Sequence, residues 1–100
     1  MTLKIKESNG QLLALLNGRL DTATSTQFAN DMQPLLDNAQ REIVLDCTDL
    51  EFISSSGLRL LLTLRKASLA AGGKIIIRNV NESVKQVFSI TGFLSLFTFE

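Results

Sequence analysis

One hundred residues, 45% of them apolar, suffice for one domain with its own core. Ten basic and ten acidic residues cancel, so no net field draws the chain to nucleic acid or to an anionic membrane. Histidine, tryptophan and tyrosine are absent, which excludes Ser-His and Cys-His nucleophilic pairs, phosphohistidine carriers, nearly every zinc site and an aromatic platform for bases. The single cysteine, Cys47, forbids an intrachain disulfide and fits a reducing compartment. The opening MTLKIKESNG lacks the apolar core of a signal peptide. The most apolar stretch, Leu58 to Leu64, is broken by Arg59 and Thr63 and falls far short of a membrane span. These features predict one cytoplasmic domain over residues 1–100 with no cofactor, no metal, no nucleic acid and no membrane insertion.

Leu3 to Ser8 alternates apolar and polar residues, as a half-exposed strand does. Asn9-Gly10 is a hairpin turn, because both positions must take positive φ. Gln11 to Asn17 (QLLALLN) is apolar at successive positions, which predicts a strand covered on both faces. Phe28, Met32, Leu35, Leu36 and Ala39 then recur at helical spacing, with Asp21 or Thr22 as cap and a kink expected at Pro34. Glu42 to Cys47 (EIVLDC) reads as a short buried strand, followed by a turn over Thr48-Asp49-Leu50. Leu58 to Ala71 is helical and stops at Gly72-Gly73. Lys74 to Val80 is another buried strand. Asn81 caps a helix carrying Val84, Val87 and Phe88 on one face; Thr91-Gly92 ends it, and Ser95 to Phe99 alternates as a last strand. The order is ββαβαβαβ: an α/β fold with a mixed, mostly parallel sheet and one antiparallel hairpin strand.

Between the third strand and its helix lies FISSSGLR, residues 52–59, with Ser54, Ser55, Ser56 and Gly57 in a row. This stretch, Gly18-Arg19-Leu20-Asp21, Ile43-Val44-Leu45-Asp46 with Leu50, Gly72-Gly73, Val84 to Phe88 and Thr91-Gly92-Phe93 occur in one order along the whole chain. In that order and spacing the chain resembles the STAS domain family, and within it a stand-alone bacterial anti-sigma factor antagonist. The resemblance implies a phosphorylation-controlled binding switch and not an enzyme. Unphosphorylated, such a protein captures an anti-sigma factor that is itself a serine kinase. The kinase phosphorylates and releases it, and a serine phosphatase resets it. The family's target serine lies two residues before the glycine, which is Ser55 here, with Ser56 and Ser54 as the alternatives. One departure is plain: many members carry Asp where this chain has Ser54.

The residues themselves support a site at this place. The serines sit where a parallel strand's carboxyl end meets a helix amino terminus, the usual position for chemistry in α/β sheets. The competing role is that Ser55 or Ser56 only caps the helix, worth ~1 kcal/mol. Asp21, Ser54, Ser56, Gly57, Leu58 and Arg59 are expected to contact the partner. Gly57 costs ~0.5–1 kcal/mol of helix propensity relative to alanine, so it is expected to admit a close-lying partner without being needed for stability. Asp46 either shapes the field at the serines or bonds the backbone of its own turn. Cys47 reads as a packed apolar residue. Two other readings stay open: a Ser-Lys hydrolase using Lys74 as base, and a non-switching STAS subunit of a membrane transport complex.

Overall fold

The computed structural model describes residues 1–100. It runs β1 (Thr2–Ser8), β2 (Gln11–Leu20), α1 (Thr22–Asp31), α2 (Gln33–Asp37), β3 (Glu42–Ile53), α3 (Ser55–Ala71), β4 (Lys74–Arg78), α4 (Glu82–Ile90), a 3-10 turn (Leu94–Leu96) and β5 (Thr98–Phe99). The strands form one sheet in sequence order. β1 and β2 are antiparallel, and each following pair is parallel. This is the mixed α/β architecture expected. Asn9 and Gly10 take φ of 50° and 82° in the hairpin, and Gly72 takes 77° where α3 ends.

Three elements differ from expectation, each for a local reason. β3 does not end at Cys47 but continues to Ile53. Along β2 the partners step from Leu15↔Asp46 to Asn17↔Asp49, and from Gly18↔Leu50 to Arg19↔Phe52, so β3 carries two bulges. Each bulge adds a residue on β3 and stretches the inward spacing to three: Cys47, Leu50 and Ile53 all face the core. A period-2 reading takes that spacing for a turn. Pro34 splits the first helix instead of kinking it. It stands in the first turn of α2, with Met32 as the junction, because proline has no N–H to continue the ladder. The last strand is only Thr98–Phe99, since Leu94–Leu96 coils to pack against the core.

One cluster of 20 buried residues joins all four helices to alternate residues of the sheet. Phe28, Leu35, Leu58, Leu61, Leu64, Val84 and Phe88 meet Leu12, Ala14, Ile43, Leu45, Ile75 and Ile77. The helices therefore cover one face. Leu13 and Leu15, on the other face of β2, are only half-buried, so that strand is not covered on both sides. Phe88 holds the carboxyl-terminal segment through edge-to-face contacts with Phe97 and Phe99, ring centroids 5.6 and 5.3 Å away. No helix is long and apolar enough to cross a membrane.

Candidate functional site

The last residues of β2 and β3, Leu20 and Ile53, pair in the sheet. Ser54 N–H donates to the Leu20 carbonyl at 2.8 Å, so α1 and α3 begin side by side at the carboxyl edge. Asn81 brings a third helix start to this edge, accepting from Val84 N–H at 2.8 Å while its amide donates to the Leu50 carbonyl at 3.0 Å. Ser54 is the cap of α3: its backbone is extended, and Oγ accepts from Gly57 N–H at 3.3 Å. The capping role expected of Ser55 or Ser56 thus falls to Ser54. Asp, the residue usual there in the resembling family, caps equally well but adds a charge that this chain lacks. Ser55 is the first residue of the helix and is exposed, while Ser56 is half-buried.

Gly57 and Leu58, expected at the surface as partner contacts, do not face solvent. Both are buried, Leu58 completely. A Cβ on Gly57 would lie 2.7 Å from Leu20 Cγ and 3.0 Å from Ile53 Cγ1. The close approach that Gly57 permits is therefore internal, between α3 and the strand ends, and the missing side chain sets how tightly the serine loop is held.

Asp21 caps α1 in a reciprocal arrangement. Its Oδ1 accepts from Thr24 N–H at 3.1 Å, and its own N–H donates to Thr24 Oγ1 at 3.0 Å. The Thr24 backbone N–H is the main reason the Asp21 carboxyl lies below its ordinary range; desolvation opposes it, and the Thr24 hydroxyl, Ala23 N–H and Arg19 add to the lowering. A depressed folded pKa means stability that is complete above the unfolded carboxylate value and is lost as pH falls through the folded value. Asp21→Asn keeps a capping oxygen without the charge. Its melting temperature is expected to fall less steeply than wild type below about pH 4 in acid melts; parallel curves would show that the charge is not the stabilising feature.

Arg19, beside Asp21 at 3.8 Å, lies over the Phe52 ring with its guanidinium carbon 4.5 Å from the centroid. In this cation–aromatic pair next to the serines the arginine is exposed and the ring half-buried, whereas by sequence Phe52 reads as core. The only prior signal was the β2–β3 register, which local patterns do not reveal. Arg59 is exposed on α3 and walls a shallow groove of about 360 Å³ between α1 and α3, with Ser25, Thr26, Ala29, Ser56 and Leu60.

Asp46 is not part of this site. By strand alternation it points to the face without helices, where it lines a separate cleft with Lys4, Thr48 and Asp49. Its Oδ1 accepts from Thr48 N–H at 3.0 Å and Thr48 Oγ1–H at 2.6 Å, pinning the first bulge. Burial alone would raise its pKa, but Thr48, Asn79 and Arg78 together hold the carboxyl below its usual value. Of its two expected roles, the structural one remains. Lys74 opens β4 and pairs with Glu42, the first residue of β3, whereas Ser55 follows the last. The two lie at opposite edges of the sheet, which removes the Ser-Lys pair. Cys47 is buried, and desolvation pushes its thiol up to about 12, with the Asp46 charge adding to the effect; it is inert packing.

A family model described as STAS domain matches residues 2–100. A protein of Bordetella bronchiseptica described as an anti-sigma factor antagonist, BtrV, is 34% identical over 97 residues, covering 97% of this chain and 84% of that one. The anti-sigma F factor antagonist of Paenibacillus polymyxa is 29% identical over 97 residues, covering 96% and 83%. Among solved structures, the anti-sigma factor antagonist SpoIIAA in its unphosphorylated form matches with a TM-score of 0.78 at 21% identity, covering 99% of this chain and 88% of that one. The Bacillus SpoIIAA in its phosphorylated form matches at 0.72 and 20%, covering 99% and 91%.

Proposed function

Because this chain belongs to the STAS domain family and is similar to proteins described as anti-sigma factor antagonists, we propose that it is a partner switch controlled at Ser55. Unphosphorylated, it captures an anti-sigma factor that is a serine kinase. Phosphorylated on Ser55, it lets that kinase go, and a serine phosphatase restores it. In the transfer the Ser55 oxygen forms a bond to the γ-phosphorus of ATP, ADP leaves, and the hydroxyl proton passes to the kinase's base.

The observation that carries this reading is the division of labour among the three serines. Ser54 is committed to the cap, Ser56 is half-buried against the α1–α3 groove, and Ser55 alone is exposed on the first turn. A phosphate there meets the positive end of α3, which favours it by typically ~0.3–1 kcal/mol, so the free protein tolerates the modification. Around Ser55, the exposed side chains of Arg19 and Arg59 and the half-buried Asp21 and Phe52 form the surface a partner would cover. The mixture of an arginine, an aromatic ring and a polar rim suits a protein interface.

Incubating the chain with ATP and serine kinases of the anti-sigma class, followed by mass spectrometry, tests the reading. The phosphate is expected on Ser55, absent from Ser55→Ala and retained in Ser54→Ala and Ser56→Ala. A phosphate mapped to Ser56, or no kinase in the panel that binds or modifies the chain, would overturn it.

A further inference from the structure

The chain has five arginines. Four are engaged within the fold. Arg19 stacks on Phe52, Arg41 bonds Glu7, Arg65 donates to the Leu96 carbonyl, and Arg78 pairs with Glu100. Arg59 has neither an ion-pair partner nor a ring to rest on, and it is the one charged residue lining the α1–α3 groove. It stands four residues after Ser55 on α3, and both are exposed. On a helix the residues i and i+4 share a face, and side chains lean back toward the amino terminus. An arginine at this position is therefore within reach of a group carried on Ser55. Ser54 has the buried Leu58 at i+4; Arg59 is i+4 from Ser55 and i+3 from Ser56, and of those two serines Ser55 is the exposed one.

We propose that Arg59 is the intramolecular clamp for a phosphate on Ser55, and that clamping withdraws the only positive charge of the α1–α3 groove. This rests on the reading of Ser55 as the modified residue. The guanidinium presents two parallel N–H donors, which fit two phosphate oxygens. Before modification the groove offers its cation to an incoming acidic side chain; afterwards that cation is occupied from within. Phosphorylation then acts twice on the same surface, by adding negative charge at Ser55 and by cancelling the positive charge beside it.

The test uses protein carrying genetically encoded phosphoserine at position 55, so it needs no kinase and no partner. In the wild-type background, nitrogen-15 spectra of the arginine side chains are expected to show the Arg59 Nε–H shifted and slowed in exchange with water when phosphoserine is present. Phosphoserine should also raise the melting temperature by about 1–4 °C more in wild type than in Arg59→Gln. Arg59→Lys should recover part of that increment, since it keeps the charge but not the paired donors. An Arg59 signal indifferent to the phosphate, or the same thermal increment in Arg59→Gln, overturns the clamp. The outcomes separate from those of the kinase panel. A clamp observed without any kinase acting on Ser55 sinks the proposed switch and leaves the ion pair, and the converse result does the reverse.

Discussion

Ser55→Ala is expected to stay bound to its anti-sigma kinase, whereas phosphoserine at position 55, or Ser55→Asp, binds roughly a hundredfold or more weakly. The magnitude follows from where the charge is placed. Phosphate brings about −1.5 to −2 charges and three acceptor oxygens. In the free protein they face water and the start of α3, so little is lost. In the complex they must be desolvated against a kinase surface that already holds nucleotide phosphates. Like charges brought together at an interface cost several kcal/mol, and each ~1.4 kcal/mol is tenfold in affinity. No change of fold is required, because the added charge acts on the surface where it sits. Calorimetry with circular dichroism decides the matter. Equal affinities of Ser55→Ala and Ser55→Asp would leave Ser55 a bystander, and a changed spectrum for Ser55→Asp would point to a conformational cause instead.

Gly57→Ala is expected to lose stability, the opposite of what helix propensity alone suggests. Alanine inside a helix gains ~0.5–1 kcal/mol over glycine. Here its methyl would sit 2.7 Å from Leu20 Cγ and 3.0 Å from both Leu20 Cδ2 and Ile53 Cγ1. Leu20 and Ile53 are 0% and 1% exposed, so neither can swing aside into solvent. Overpacking of this kind costs ~1–3 kcal/mol, and it outweighs the propensity gain. For a domain of this size the melting temperature should fall on the order of 5–15 °C. Because Gly57 N–H is the group that Ser54 caps, the strain falls on the serine loop itself, and Ser55 should also be modified more slowly. A melting temperature equal to or above wild type would show that Leu20 and Ile53 yield, restoring a role for Gly57 in admitting a partner.

Most of the architecture is legible because it follows from local chemistry. Asn9-Gly10 can close a hairpin because both take positive φ; Gly72 can end α3 for the same reason; Asn81 can start α4 because its side chain reaches the Val84 N–H. Alternation in β1 and the apolar runs of β3 and β4 reflect which faces meet water. Family resemblance added the choice of Ser55 among three like neighbours, which composition and period do not make.

What the chain alone did not reveal lies where two distant segments meet. The length of β3 depends on bulges that exist only against β2, and they turn a period of two into steps of three at Cys47, Leu50 and Ile53. Which serine caps α3 was decided by Ser54 being held to the Leu20 carbonyl, a contact across the sheet. Asp46 looked close to the serines by number, yet the pleat turns it to the other face. Gly57 looked dispensable to the fold until Leu20 and Ile53 were seen to fill the space beside it. Arg59 stands apart because the other four arginines are engaged within the fold. In each case a residue's own backbone and its near neighbours set what it can do. Only tertiary packing decided which surface it faces and what lies against it, because those contacts join segments whose separation along the chain carries no local signal.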